Sequence, residues 1–418
     1  MKSALKTFAC MLLMVSVITS CKVSPDKAAE KENFIKENVS FATAQTDLML
    51  QAVGEPTGEN YPRTMKDDGS LAVTNMYDWT PGFFPGSLWY LYELTGESKW
   101  KEAAEKWTTS LEPLKTFTGH HDLGFMMYCS YGNAERLAPK PEYKTILEES
   151  AGSLSTRFSD TTRVIKSWNR FKSWDDRVES SYPVIIDNMM NLEMLFYASR
   201  VTGNKKFYDI AVSHADATLK NQFRDDFSTY HVVAYDPITG AVIDRATAQG
   251  YSDNSTWSRG QAWAIYGFTM TYRETKDKKY LEAAVKATDL YLKDLPEDLI
   301  PLWDFNVGQD GYVPGNRSYA TEYKEPLRDA SAGAIVCSAL FELAELSGDK
   351  SYADKAEKML HSLASPAYRA ELGTNADFII KHCVGSIPHK SEIDKPLVYA
   401  DYYFLEALVR YKNSGSNK

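Results

Sequence analysis

One seven-residue phrase recurs along this chain, and it limits the possible folds more than any other feature. It reads Leu94-Thr-Gly-Glu-Ser-Lys-Trp100, Val201-Thr-Gly-Asn-Lys-Lys-Phe207, Glu274-Thr-Lys-Asp-Lys-Lys-Tyr280 and Leu346-Ser-Gly-Asp-Lys-Ser-Tyr352, with a weaker copy at Leu137-Ala-Pro-Lys-Pro-Glu-Tyr143. Each copy follows an apolar segment of helical period and opens a charged, amphipathic one. Glycine at its third position, replaced by Lys276 in one copy, stands where a helix end needs a left-handed residue. The aromatic then docks the second helix. So short a turn lays the two helices antiparallel, and repetition at this spacing marks stacked supersecondary units.

Helical periodicity gives about twelve segments. Six are rich in apolar and small residues and begin near Thr80, Asp122, Asp187, Ser255, Asp329 and Asp401. The more polar segments that accompany them include Trp100–Leu111, Lys205–Leu219, Lys279–Leu292 and Lys350–Leu363. The expected fold is therefore all-α, an (α/α)6 barrel of six helical hairpins with the apolar helices inside. An open superhelix competes, but no terminal pair carries the polar outer face of a cap. In a closed ring the inner helices all run one way. Their N-termini, with unpaired N–H groups and positive dipole ends, converge on one mouth and make it an anion site.

The N-terminus reads as an export signal. Lys2 and Lys6 precede an apolar run from about Phe8 to Ile18, too short for a comfortable membrane span. The run ends in Ile18-Thr-Ser-Cys21, small residues directly before a cysteine. Residues 1–20 are thus expected to be a lipoprotein signal peptide and Cys21 the lipidated first residue of an exported protein, either periplasm-facing or on the outer membrane. Residues 21–32, charged and holding Pro25, are expected to be a flexible tether, and residues 33–412 the barrel. The remaining Cys129, Cys337 and Cys383 match no metal spacing and are expected to be buried thiols. A net charge of −9 argues against nonspecific nucleic-acid binding.

Candidate chemistry sits at the starts of the inner segments. An Asp before a helix is first of all an N-cap, and Asp329 and Asp401 are read that way. Asp122 lies beside His120-His121 at the start of a Phe/Met/Tyr-rich helix. Asp187 follows Val184-Ile-Ile and precedes two Met residues, surroundings that raise a carboxyl pKa and favour a proton donor. Two carboxyls in unlike environments suit acid–base work on sugars. Trp79, Trp257 and Trp263 have the shape to stack on sugar faces, core packing being as good an account of each. The planar fork of Arg259 matches a carboxylate.

The motifs His121-Asp-Leu-Gly-Phe125, Ile185-Ile-Asp-Asn-Met-Met-Asn-Leu192 and Trp257-Ser-Arg-Gly-Gln-Ala-Trp263 resemble those of unsaturated glucuronyl hydrolases, glycoside hydrolase family 88, as do Asp78-Trp-Thr-Pro-Gly-Phe-Phe-Pro-Gly86 and Asp401-Tyr-Tyr-Phe404. The resemblance spans roughly residues 33–412 and implies the (α/α)6 barrel. It further implies an oligosaccharide substrate left by a polysaccharide lyase, with a C4=C5 double bond in its terminal uronic acid, that is hydrated rather than hydrolysed at C1. By this resemblance Asp187 is the acid/base and Asp122 the second essential carboxylate. His231, Gln249, Trp257 and Arg259 hold the unsaturated uronide, with Trp79, Trp263 and His121 around it. Ser386 and Lys390, in the loop before the last inner helix, are candidates for a sulfate on the next sugar. No metal or other cofactor is implied. The alternatives are an unsaturated rhamnogalacturonyl hydrolase of pectin fragments and a noncatalytic glycan-binding lipoprotein. The Ser-Arg-Gly-Gln-Ala-Trp and His-Asp versions of the motifs favour the glucuronyl type.

Acylation at Cys21 has a direct check. Cys21→Ala should move the protein from the membrane fraction to the soluble fraction, and unchanged fractionation would refute the lipobox.

Overall fold

The computed structural model describes residues 25–414; the signal segment and Cys21 lie outside them. Helix α1 spans Pro25–Val53, α2 Phe83–Thr95 and α3 Ser98–Thr109. The next inner helix is broken into α4 (Leu123–Met127), a π-turn (Tyr128–Gly132) and α5 (Asn133–Leu137). Then come α6 (Pro141–Ser155), α7 (Leu192–Thr202, entered by a 3-10 turn at Ile186–Asn191), α8 (Lys205–Asn221), α9 (Ser258–Thr275), α10 (Lys278–Lys293), α11 (Ala330–Ser347), α12 (Lys350–Leu363) and α13 (Val398–Asn413). The chain alternates outer and inner helices, α1 being outer. The inner ones are α2, α4–α5, α7, α9, α11 and α13, so the (α/α)6 barrel is formed.

Burial follows the sequence pattern. Helix α9 is buried continuously from Ser258 to Thr271, and α11 from Ala330 to Phe341. Outer helices bury one stripe, as in α12 with Tyr352, Ala356, Met359, Leu360 and Leu363. The recurring phrase is a paired cap. Gly96, Gly203 and Gly348 adopt φ of 73°, 73° and 76°, and their N–H groups close the preceding helices. Lys276 takes the same left-handed place at φ 59°. Asn204, Asp277 and Asp349 then cap the next helices by accepting from Lys206, Lys279 and Ser351 N–H. Trp100, Phe207, Tyr280, Tyr352 and Tyr143 are all buried as docking residues.

The ring closes where the first and last helices meet, and two expectations change there. The stretch from Pro25 to Glu32 is helical and belongs to α1 rather than to a tether. Lys31 Nζ donates to Ser414 O at 2.6 Å, tying the first helix to the end of the last. Asp401 is not an N-cap: α13 begins at Val398, and the Asp401 carboxylate accepts from Ile379 and Ile380 N–H, both at 2.9 Å, pinning the preceding loop. Cys337 and Cys383 are buried as expected, whereas Cys129 is partly exposed.

Neighbouring inner helices touch where side chains are absent. A Cβ on Gly82 would lie 2.3 Å from the Phe125 and Met126 carbonyls, one on Gly86 2.5 Å from the Tyr402 ring, and one on Gly124 2.4 Å from Asn191 Cα. At the end carrying the short turns, Glu406 of α13 bonds three neighbours. Its carboxylate accepts from Tyr90 (2.7 Å, α2), Tyr266 (2.9 Å, α9) and Ser338 (2.5 Å, α11) hydroxyls. The connections at the other end are long. They carry four small antiparallel sheets: β1–β2 (Tyr61–Met65, Leu71–Thr74), β3–β4 (Phe171–Lys172, Glu179–Ser180), β5–β6–β7 (Pro183–Ile185, Val232–Tyr235, Val242–Ala246) and β8–β9 (Cys383–Ser386, Ser391–Lys395).

Glu406→Ala takes the carboxylate acceptor from three buried hydroxyls and one of two carboxylates from beside Arg410. Unfolding should become easier by about 3 kcal/mol, the scale for breaking a buried charged network from one side, read from a denaturant midpoint. An unchanged midpoint would show that Glu406 does not tie the ring.

Candidate active site

At the mouth with the long connections lies a cavity of about 620 Å³. Trp79, Trp168, Phe171, Trp174 and Tyr399 supply its aromatic walls, and Gln249, Arg259 and Ser386 line it as well. Asp122 and Asp187, each 8% exposed, lie behind these lining residues: Gln249 of the lining donates its N–H to His231 Nδ1, and His231 Nε2 faces Asp187.

Local pairing brings these acids to one place. Strand β5 runs into the 3-10 turn that holds Asp187, and β6 begins directly after His231. The register Ile185↔Val232 and the bond from Ile186 N–H to His231 O (3.1 Å) set His231 beside Asp187. The second acid is brought in by helix α4. Phe125 N–H donates to Asn191 Oδ1 at 3.2 Å, and Gly124 lets the two turns touch. Asp122 stands at the N-cap position of α4 and Asp187 in the first turn of its 3-10 segment, yet neither makes a side-chain capping bond. Their oxygens are directed elsewhere.

The two carboxyls are held in opposite states. Around Asp187, burial pushes the pKa up, the Arg259 charge pulls it down and the Asp122 charge pushes it up again, to about 7. Burial acts on Asp122 too, but His121, the His120 hydrogen bond and Arg157 outweigh it and hold the group below the ordinary carboxylate range. His120 places Nδ1 3.0 Å from Asp122 Oδ2 and Nε2 3.0 Å from Tyr77 O, so both ring nitrogens face acceptors. Burial opposes its charge, yet the Asp122 bond and charge win and raise its pKa. His121 is fully buried, and burial lowers it to about 4. It is the neutral partner: Nε2 faces Asp122 Oδ1 at 3.3 Å, and Nδ1 accepts from Asn191 Nδ2 at 3.3 Å.

His231 has a defined tautomer. Its Nδ1 accepts from Ala248 N–H (3.0 Å) and Gln249 N–H (3.1 Å), so the proton is on Nε2, which points at Asp187 Oδ2 across 3.7 Å. Burial and the Arg259 charge keep the ring neutral. Neither Nε2 nor that Asp187 oxygen has a hydrogen-bond partner among the described residues. The unpaired indole nitrogen of buried Trp263 also lies within electrostatic reach of Asp187. Unsatisfied buried polar atoms on facing groups are the mark of a place for something else to bind.

The other sequence candidates divide. Trp79 reaches the cavity wall. Trp257 packs beneath it, between the His231 ring (4.5 Å) and the Arg259 guanidinium (4.7 Å). Trp263 is in an aromatic layer with Phe125 and Tyr403. Arg259 lines the cavity and is also bonded within the protein. Its Nη1 donates to Asp329 Oδ2 (2.7 Å) and Val384 O, and its Nη2 to Gln249 Oε1 (2.9 Å) and Gly385 O. The fork expected for a substrate carboxylate is thus spent on the protein. It fixes Gln249 and β8, leaving the Gln249 amide nitrogen as the group on offer. Asp329 caps α11 as expected, accepting from Ser331 N–H, and also neutralises Arg259. Ser386 lines the cavity and bonds His389 Nδ1 at 2.6 Å. Lys390 is exposed, its ammonium 4.7 Å from the Tyr319 ring centre and away from the cavity wall. Among the described residues no group of three or more His, Cys, Asp or Glu is placed to hold a metal ion.

Sequence reasoning passed over Trp168, Phe171, Trp174 and Tyr399. A signal for three of them was present: Trp168-Asn-Arg-Phe-Lys-Ser-Trp174 alternates aromatic and basic residues in a segment without helical period.

Comparison with known proteins agrees with this geometry. The chain is 45% identical over 393 residues to an unsaturated glucuronyl hydrolase of Formosa agariphila, covering 92% of each chain. It is 31% identical over 414 residues to an unsaturated chondroitin disaccharide hydrolase of Streptococcus pyogenes serotype M1, covering 95% of this chain and 98% of the relative. The crystal structure of an unsaturated glucuronyl hydrolase specific for heparin superposes with a TM-score of 0.82 at 41% identity, over 91% of this chain and 98% of that one. Residues 55–416 match the profile of Glycosyl Hydrolase Family 88, and with the barrel and its paired aspartates in place, the chain belongs to that family.

Proposed function

We propose that this protein removes the terminal 4,5-unsaturated uronic acid from lyase-generated oligosaccharides of the glycosaminoglycan type, by hydrating the C4=C5 bond. The observation that carries the reading is the pair behind the cavity lining: Asp187 with a pKa of about 7, facing the Nε2–H of a neutral His231, and an ionised Asp122 held by two histidines. Asp187 gives its proton to C4, and the double-bond electrons form the new C–H bond. Positive charge develops at C5 and on the ring oxygen, where the Asp122 carboxylate lowers its energy. Water adds at C5 and loses a proton to the Asp187 carboxylate, restoring the acid. The C5 hemiketal then opens, and the aglycone leaves from C1 as an alcohol. Neither carboxyl attacks C1. Membrane attachment through an acylated Cys21 belongs to the same proposal and would hold the enzyme where exported lyases release its substrates.

The charge states set the consequences of substitution. Asp187→Asn and Asp122→Asn should each lower kcat about a hundredfold or more, the scale of general acid–base catalysis. In the wild type kcat/KM should fall as pH rises through about 7, where Asp187 loses its proton. Folding stability moves the same way. Folded Asp187 keeps its proton up to about pH 7, while the unfolded carboxyl loses it near its ordinary pKa of about 3.9. The unfolded chain therefore binds fewer protons between these values, and stability declines as pH rises through that window. Asp187→Asn escapes this loss and should show a higher unfolding midpoint than wild type at pH 8, with the difference shrinking toward pH 4. Active Asn variants, or equal midpoints at pH 8, would remove Asp187 from its role.

Turnover in oxygen-labelled water tests the route. Label should appear at C5 of the uronic product; label at C1 would show ordinary glycoside hydrolysis instead.

A further inference from the structure

The two ends of the barrel carry opposite charge. Long connections at the mouth are acidic: residues 222–257 hold five acidic residues against two basic, and residues 294–329 hold eight against three. The end of short turns is the reverse. Its five copies of the recurring phrase hold eight lysines against five acids, in a chain whose net charge is −9. Two of those acids, Asp277 and Asp349, are taken up in capping α10 and α12, and Glu274 pairs with Arg200 and Arg273.

The lysines stand where helix physics disfavours them. A helix N-terminus is the positive end of its dipole and favours acids in the first turn. Yet α3, α8, α10 and α12 have no acid there. They open on Ser98-Lys99, Lys205-Lys206, Lys278-Lys279 and Lys350 instead, and all of these lysines are exposed. Lys99, Lys205 and Lys279 pair with carboxylates. Lys206, Lys278 and Lys350 form no ion pair among the described residues. Four helices thus repeat one unfavourable choice at one end of the molecule, and departures of this kind gather at functional surfaces.

The same end receives the start of the chain. Helix α1 begins at Pro25, and Lys31 Nζ meets Ser414 O just past the end of α13. From its start α1 runs 29 residues toward the mouth, a length of about 43 Å. Cys21 stands four residues before Pro25, a reach of about 14 Å for an extended chain. A lipid on Cys21 therefore places the short turns against the bilayer and the mouth on the far side. Anchor and charge select the same face. We propose that this lysine-bearing end is a membrane-docking surface, resting on anionic phospholipid headgroups with the active-site cavity open away from the bilayer. The anchoring rests on the acylated Cys21 of the function proposed above; the lysine surface stands without it. Each lysine near an anionic surface adds attraction that salt screens, and the acidic mouth is repelled, so the charge polarity orients the barrel.

The test uses the mature chain, residues 21–418, carrying Cys21→Ala so that no acyl chain contributes. It is sedimented with vesicles of phosphatidylglycerol and phosphatidylethanolamine, phosphatidylcholine vesicles being the neutral control. Binding to the anionic vesicles should exceed the control by about tenfold or more at low salt, since each lysine near such a surface contributes about fivefold, and should fall as salt is raised. Lys206→Gln, Lys278→Gln and Lys350→Gln combined should bring binding down to the control. The same variant should keep wild-type kcat on a soluble unsaturated disaccharide, and its unfolding midpoint should not fall, because each change removes a lysine from a helix start. On anionic vesicles Lys206, Lys278 and Lys350 should be shielded from a water-soluble amine reagent, with Lys390 labelled at its rate in solution. Equal binding to both vesicle types, or binding unchanged in the combined variant, would overturn the docking surface and leave the enzymatic function standing. So would capture by soluble chondroitin sulfate without binding to anionic vesicles, which would make the lysines a polysaccharide contact. Lys390 shielded as strongly as Lys206 would overturn the orientation. Salt-sensitive vesicle binding by an enzyme inactive on every unsaturated disaccharide would instead keep the surface and remove the function.

Discussion

Six helices can surround one axis only if their backbones come close where the inner surfaces converge, and here that approach depends on missing side chains. Gly82, Gly86 and Gly124 each stand where a methyl group would overlap a neighbour's backbone or ring. The last of these matters most for chemistry. Because Gly124 lies against Asn191, the turn that carries Asp122 meets the turn that carries Asp187. Asn191 then does double service, accepting from Phe125 N–H and donating to His121, so the packing contact and the orientation of the histidine beside Asp122 are one structure. A close-packed core transmits small displacements, so the geometry of both acids follows from the glycine contact.

From that contact follows an electrostatic division of labour. Inner helix starts attract anions, and a carboxylate there is ordinarily ionised. Asp122 behaves this way, with His120 and His121 facing its two oxygens. Asp187 does not, because its Oδ2 has no hydrogen-bond partner among the described residues and burial outweighs the Arg259 charge. The spending of Arg259 on Asp329, β8 and Gln249 has a purpose in this light. A guanidinium pointed directly at Asp187 would stabilise its carboxylate and cancel the proton-donating state. Arg259 instead acts at one remove, holding Gln249, whose own N–H fixes the His231 tautomer.

Legibility in the sequence tracked the range of the interaction. The paired cap is local: a left-handed Gly followed directly by an Asn or Asp determines a turn by itself, and the hairpins were readable from such pairs. The acids were readable because Asp187 sits in an apolar run and Asp122 beside two histidines. The first turns of α1 were not, since Pro25–Glu32 is charged and its order comes from contacts with the far end of the chain, as between Lys31 and Ser414. The small sheets also escaped. Strands of two to five residues have no measurable period, and β5 finds its partner some fifty positions away. Asp401 was misjudged in role for the same reason, and the protein partners of Arg259 were missed. Their partners at 329, 379, 380, 384 and 385 are invisible to any local window.

The two ends of the barrel show why such a scaffold concentrates its chemistry at one of them. At the end of short turns the charged groups near the axis are matched to one another: Glu406 accepts from three hydroxyls, and Arg273 and Arg410 are matched by Glu193, Glu342 and Glu406. Such a network rigidifies the ring. At the opposite end the connections are long, and loops of that kind tolerate change in length and sequence without disturbing the helices. The cavity walls are drawn from these loops, while the acids sit on the helix starts beneath. A buried floor with fixed charge states and a wall of loop residues separate two demands on an enzyme of this kind. The reaction constrains the floor, whereas the walls come from loops that can vary without disturbing the helices beneath them.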